Sequence, residues 1–292
     1  MCLLLIKRFA LPPSPHFHLA YLVRCVNYMT MSACENITDM KIHTIEGYIQ
    51  NIYLVEYPDK LLLLDGCSRA DVSLICRFIN DELRRPVHQL KLIVVTHMHP
   101  DHAGGAHLLR RISGAQIATA NCPGQWYRGI DGMLMHLSDI ALALWVAGRK
   151  HKPRKNLWYA RTLKPDIYLP DGAVLPGFED WQALHTPGHT DRDISLYHAR
   201  RSTVYIADVM VQVRGKLIPP YPVFYPRLYR ATLLKLQQLG PATVMLAHHS
   251  EIAFADIDFA QLLQLAPKQP VTHWRSVKTK TKKALGLSHS SG

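Results

Sequence analysis

The sequence predicts an α+β protein in which two β-sheets carry helices on their outer sides. Three observations support this reading. Apolar runs of strand length recur between residues 41 and 246, stretches of helical period lie among them, and polar residues gather where the runs end. A segment without strand pattern, 123–164, divides the runs into two blocks.

The first 40 residues lack a clear period and are broken by Leu11-Pro12-Pro13-Ser14-Pro15, so residues 1–40 are expected to form a poorly ordered extension. A regular pattern begins at residue 41. Lys41–Ile45 and Asn51–Tyr57 read as strands, Tyr57–Lys60 as a hairpin turn, and Leu61–Leu64 as a buried strand. Val72, Ile75, Ile79 and Leu83 recur at helical spacing, and Leu90–Val95 forms a largely apolar run of strand length. That strand runs into Thr96-His97-Met98-His99-Pro100-Asp101-His102. Gly104-Gly105 then releases the chain into a helix near Ala106–Ile112.

After a helix-like segment at Met133–Val146, strand signals resume at Ile167–Leu169, Ala173–Leu175, Trp181–Leu184, Ile194–Tyr197 and Thr203–Ile206. A helix over Pro226–Leu239, with proline in its first turn, precedes a last strand at Thr243–Leu246. One domain over 41–265, with an insertion at about 123–164 and a basic, flexible tail at 266–292, accounts for the pattern.

Composition narrows the classes. Of 292 residues, 48% are hydrophobic and 19% charged, enough to bury a core and too apolar for wholesale disorder. No run reaches the roughly 20 uninterrupted apolar residues of a membrane span. The best candidate, Met133–Ala147, is short and carries His136 and Asp139. In the opening MCLLLI the basic pair Lys7-Arg8 follows the apolar residues instead of preceding them, so a cytoplasmic protein without a transmembrane segment is expected. The six cysteines form no C-x-x-C pair and read as reduced thiols.

The net charge of +12 is local. Seven basic and no acidic residues lie in Arg149–Lys164, and six more basic residues lie in Lys268–Lys283; without them 21 Lys and Arg face 22 Asp and Glu. A nearly neutral body disfavours nucleic acid as the partner.

His97, His99, Asp101 and His102 place four candidate metal ligands within six residues. His97 and His99 share a side because extended side chains alternate, and Asp101 and His102 follow the bend at Pro100. Imidazole and carboxylate suit zinc, and also iron or manganese. Further candidates end later strands: His189 in Thr186-Pro187-Gly188-His189-Thr190, Asp208, and His248-His249.

THMHPDHAGG from Thr96, HTPGHT from His185, YIADV around Asp208 and LAHH around His248 together resemble the metallo-β-lactamase-fold hydrolase superfamily over residues 41–255. The resemblance implies a four-layer αβ/βα sandwich with a dinuclear site at one edge of the sheets. By motif position, His97, His99 and His189 would hold one divalent ion and Asp101, His102 and His248 a second, with Asp208 bridging. His248 is aligned with the last ligand and His249 is the alternative. His185 reads as a packed histidine, and Asp65 either supports a ligand through a hydrogen bond or closes an ordinary Asp-Gly turn. Cys67 carries no sign of being a nucleophile.

A pair of ions would make hydroxide available at neutral pH and polarise the attacked bond. Asp101 and Asp208 are the candidate catalytic carboxylates, either of which could carry a proton to the leaving group. The motifs look most like lactonase and glyoxalase II-like members, so an ester, lactone or thioester carbonyl is the expected target. The alternatives are a metal-dependent phosphodiesterase or nuclease, β-lactamase-type amide hydrolysis, and a non-catalytic metal-binding protein. Trp126, Tyr127, Trp145, Trp158 and Tyr159 in the insertion would build an acyl lid, pack onto the body or form a homodimer contact, each of which should bury them.

Overall fold

The computed structural model describes residues 40–272. The expected N-terminal extension and most of the basic tail lie outside the described residues.

The chain opens with β1 (Lys41–Glu46), β2 (Asn51–Glu56) and β3 (Leu61–Leu63), joined antiparallel. The expected helix after residue 71 is α1 (Val72–Arg77), which continues through a π-helical turn at Phe78–Glu82 and lays Val72, Ile75 and Ile79 on the sheet. β4 (Leu90–Val95) pairs parallel with β3. The short α2 (Pro100–Ala103) and α3 (Ala106–Ser113) follow, and Gly114 ends α3 in the left-handed conformation that glycine adopts without strain. β5 (Gln116–Ala120) then slots in parallel beside β4. The sequence pattern did not signal β5, because Ala118 and Ala120 carry little strand propensity.

The insertion holds no strand, as expected. It carries α4 (Gly129–Arg149), longer at both ends than the segment read from sequence. By length and composition α4 could cross a bilayer. However, its protein-facing side buries Gly132, His136, Asp139, Ala143 and Ala147, so two polar residues are committed to protein.

β6 (Ile167–Leu169) completes a first six-stranded sheet, β1-β2-β3-β4-β5-β6. The second sheet collects β7 (Val174–Leu175), β8 (Phe178–His185), β9 (Ile194–His198) and β10 (Thr203–Tyr205). A hairpin of β11 (Val211–Val213) and β12 (Lys216–Ile218) turns at Arg214-Gly215 and was also not foreseen. α5 (Pro226–Leu239) occupies the expected residues; β13 (Thr243–Met245), β14 (Ile252–Ala253) and α6 (Phe259–Leu265) end the domain. The second sheet's order is β14-β13-β10-β9-β8-β7.

Every residue of β4 except Lys91 is buried, which requires cover on both faces. Ile93 and Val95 meet α1 and α3 in one core, while Val204, Ile206, Val244 and Leu246 meet α5 and α6 in another. Between the sheets, the rings of Tyr53 and Tyr205 lie 5.3 Å apart and those of Tyr57 and Phe178 5.5 Å apart. The result is the four-layer arrangement, helices–sheet–sheet–helices.

Candidate metal centre

β4 delivers the chain to the sheet edge, and the next residues carry four of the expected ligands. Pro100 occupies the first turn of α2, where its missing N–H costs nothing, so Asp101 and His102 turn back toward His97. Gly105 packs this loop against the end of β3: its N–H donates to the Cys67 carbonyl at 2.9 Å, and an added Cβ would lie 2.5 Å from Cys67 Sγ.

Two groups of ligand-type atoms form. The first comprises His97, His99, His189 and Asp208; the second, Asp101, His102 and His248. In the first, His99 Nδ1 lies 3.1 Å from His97 Nε2 and 2.9 Å from His189 Nε2. A tetrahedral ion with bonds of about 2.0–2.1 Å would space its donors about 3.3 Å apart. In the second, His248 Nε2 lies 3.4 Å from Asp101 Oδ2, and His102 Nε2 lies 3.5 Å from it. Asp208 divides between them: Oδ2 is 3.5 Å from His189 Nε2, whereas Oδ1 is 3.2 Å from His248 Nε2 and 3.4 Å from His102 Nε2.

Each of the five imidazoles has its outer nitrogen facing an acceptor. His97 Nδ1 lies 3.1 Å from Thr96 Oγ1, whose own proton goes to Asp65. His189 Nδ1 donates to the Pro222 carbonyl at 2.5 Å, His248 Nδ1 to that of Ile49 at 3.2 Å, and His102 Nδ1 to Asp65 Oδ2 at 2.6 Å. His99 Nε2 faces Asp139 Oδ2 at 3.7 Å, beyond hydrogen-bond distance. A proton on each outer nitrogen leaves the inner lone pair bare, the tautomer that a metal ligand needs. His102 Nε2 and Asp208 Oδ1, both buried, find no hydrogen-bond partner within the protein. These residues fit a pair of divalent ions.

The electrostatics separate the two groups. Burial, aided by His102 and the other imidazoles, holds His97 well below its ordinary pKa, and burial takes His189 down to about 4. Burial also opposes the charging of His102 and His248, but the Asp208 and Asp101 carboxylates outweigh it and raise both. For Asp208 burial is again opposed, here by His102 and His248, which hold the carboxyl well below its usual range.

Asp65 takes the supporting position. Besides His102, it accepts from Thr96 Oγ1 at 2.9 Å and Tyr205 OH at 2.8 Å. His185 stands outside both groups, its Nε2 2.8 Å from the Leu169 carbonyl. His249 is exposed, and only its backbone carbonyl is engaged, by Asn51 and Tyr53. The Cys67 thiol is buried, which raises its pKa and suits no nucleophile.

Asp139 was read only as a polar interruption of an apolar helix. That interruption was its one sequence signal, since a carboxylate is seldom buried without a partner. It accepts from Tyr127 OH at 2.8 Å; Tyr159 OH donates to the Met98 carbonyl at 2.6 Å and lies 3.2 Å from Tyr127 OH. Tyr127 and Tyr159 are buried as expected and Trp126 packs on Phe224, but Trp145 and Trp158 stand more than half exposed, contrary to the expectation for the insertion's aromatics. A cleft opens onto the site between Ile49, Leu142, Ala143 and Val146 on one side and Tyr221 and Pro222 on another, with His99, Asp101, Asp139, Asp208 and His248 among its lining.

Comparison with known proteins follows this geometry. The chain is 24% identical over 226 residues to the probable metallo-hydrolase YflN of Bacillus subtilis, covering 71% of this chain and 83% of that one. It is 27% identical over 188 residues to a hydroxyacylglutathione hydrolase of Cereibacter sphaeroides (64% and 58% covered), and 29% identical over 165 residues to the human acyl-coenzyme A thioesterase MBLAC2 (54% and 53%). It thus spans little more than half the length of the last two. A metallo-beta-lactamase family protein of Thermus thermophilus, TTHA1429, superposes with a TM-score of 0.56 at 19% identity over 86% of this chain and 81% of its own, a likeness of fold. The family model of the metallo-beta-lactamase superfamily matches residues 45–248, which include all seven ligand-type histidines and aspartates, so the chain belongs to the metallo-beta-lactamase superfamily.

Proposed function

We propose that the protein is a dinuclear metal-dependent hydrolase of an ester, lactone or thioester carbonyl in a small-molecule substrate. His97, His99 and His189 would hold one ion and Asp101, His102 and His248 the other, with Asp208 shared between them. The observation that carries this reading is the division of Asp208, one oxygen toward each group of imidazoles. When bound, two divalent ions, zinc or else iron or manganese, supply Lewis acidity and lower the pKa of water.

The protein's own groups do the rest. The acceptors behind the five imidazoles fix their tautomers and angles. Asp208 and Asp101, two of the three carboxylates lining the cleft, take the proton that the attacking water gives up and return it to the leaving group. Ile49, Leu142, Ala143 and Val146 line the cleft beside them and suit the apolar part of an acyl group. Two relatives are named for hydrolysing hydroxyacylglutathione and acyl-coenzyme A, which favours a thioester within this class. The basic insertion gives less support to a nuclease, because Lys152 is paired with Glu46, and Lys150 and Arg161 are bonded to backbone carbonyls.

The test is elemental analysis combined with turnover of a lactone, a thioester, a β-lactam and a bis-aryl phosphodiester, before and after chelation. About two metal equivalents and chelator-sensitive turnover of a carbonyl ester are expected. His97→Ala should cut that turnover by orders of magnitude. Turnover of the phosphodiester alone, or full activity in His97→Ala, would overturn the reading.

A further inference from the structure

Helix α4 is apolar on two faces. One side packs against the site. The other presents Ile130, Leu134, Leu137 and Trp145 at helical spacing to solvent, with exposures of 75%, 40%, 43% and 61%. Only 28% of the helix's most apolar window is buried, whereas a helix apolar all round is ordinarily enclosed by protein or lipid. Trp158, 59% exposed, comes from the segment that follows and reaches the helix at His136, ring to ring at 5.7 Å. Isolated exposed apolar residues need no explanation, but a continuous stripe along one helix does.

The exposed charges around the stripe are basic except for Asp131 in the helix's first turn. No acidic residue occurs between Asp139 and Asp166. Arg149 is exposed at the C-terminal end of the stripe with its guanidinium 5.7 Å from the Trp145 ring centre, Arg154 is exposed in the segment that follows, and Arg128 is exposed at the other end, whereas Lys155 lies over the Tyr48 ring on the side of the helix that faces the body. An apolar stripe, a tryptophan near its edge and cations at both ends are the chemistry of a helix that lies in the plane of a bilayer, apolar side chains among the acyl chains and cations on lipid phosphates.

We propose that the outer face of α4 docks on an anionic membrane surface. A spanning orientation is excluded because His136 and Asp139 are buried in the protein on the reverse side. A second copy fits less well. In an antiparallel two-fold pairing, the cations after Trp145 would meet the partner's Arg128 and Asp131, a single carboxylate, whereas anionic headgroups can match every cation. Leu142, Ala143 and Val146 on the same helix line the cleft, so docking sets the cleft beside the bilayer. The proposal rests on the outer face of α4 alone and stands whether or not the hydrolytic reading does.

The experiment is co-sedimentation of the full-length protein with vesicles of phosphatidylcholine alone and of phosphatidylcholine with phosphatidylglycerol. Binding to the anionic vesicles, little to the neutral ones, and weakening by salt are expected. Leu134→Glu with Leu137→Glu should abolish binding, and neutralising Arg149 and Arg154 to Gln should lower partitioning about fivefold per charge removed. Both variants alter exposed side chains, and retained metal content and melting temperature check their folding. A blue shift of emission on wild-type binding, lost in Trp145→Phe, tests the contact without either variant. Absence of binding to anionic vesicles would overturn the proposal. So would binding that both variants retain in full, which places the contact elsewhere in the chain, or a dimer that Leu134→Glu with Leu137→Glu dissolves in a protein that ignores vesicles.

Discussion

Asp139 is a carboxylate inside an apolar helix, where burial without a partner is costly. Tyr127 OH and His99 Nε2 both face it, the pattern by which a carboxylate behind an imidazole strengthens it as a ligand. Asp139→Asn is expected to weaken metal binding at the His97-His99-His189 group about 10–100-fold and to leave the metal-free melting temperature nearly unchanged; competition with a chromophoric chelator measures the first and calorimetry the second. Unchanged affinity would reduce Asp139 to a packing partner of Tyr127. A second prediction follows from protonation. His97 and His189 are held below their ordinary pKa and are neutral at pH 7, so these two ligands should add little pH dependence to binding of the first ion near neutrality. His102 and His248 are held above it and must lose protons, so affinity for the second ion should rise with pH through neutrality. Metal titrations at pH 6 and 8 with proton-release calorimetry would show this, and the opposite order would contradict the electrostatics. The seven ligand-type residues were legible because each lies in a short motif that follows a strand. Asp139 and the Pro222 carbonyl were not, since their partners lie at residues 99 and 189.

At the scale of elements, the loop between β8 and β9 shows how His189 is held. Asp193, buried in that loop, receives the N–H groups of Gly188 and Thr190 at 3.1 and 2.7 Å, and burial raises its pKa to about 7. Thr232 of α5 donates to the Pro187 carbonyl at 2.8 Å. Gly188 sits at φ +150°, and a Cβ there would lie 2.4 Å from the Tyr229 Cα of the same helix. Gly188→Ala should therefore part the loop from α5 and lower stability by about 3 kcal/mol, read as a fall in melting temperature; a wild-type melting temperature would show that the contact is slack. The long, strongly patterned elements, β4 and α5 among them, were readable from sequence. β5 was not, because small side chains carry weak strand preference and its place is created by β4 and β6 on either side.

Across the whole molecule, neither sheet holds the site alone. The first contributes His97, His99, Asp101 and His102, and the second contributes His189, Asp208 and His248. The sheets are tied at the centre of this arrangement, where Tyr205 OH at the end of β10 reaches Asp65, the carboxylate that also orients His102. The described chain runs on past α6, and Val271 exchanges two backbone hydrogen bonds of 2.9 Å with Val223, next to the proline that receives His189. The sequence by itself determined the fold class, the order of most strands and the ligand-type residues, because hydrophobic period and clustered histidines are properties of adjacent residues. Only the tertiary structure decided which oxygen of Asp208 faces which group, which acceptor stands behind each imidazole, and which side of α4 remains in solvent. Apart from the Thr96–His97 contact, those relations join residues tens to nearly two hundred positions apart, and they exist only once the sheets have packed.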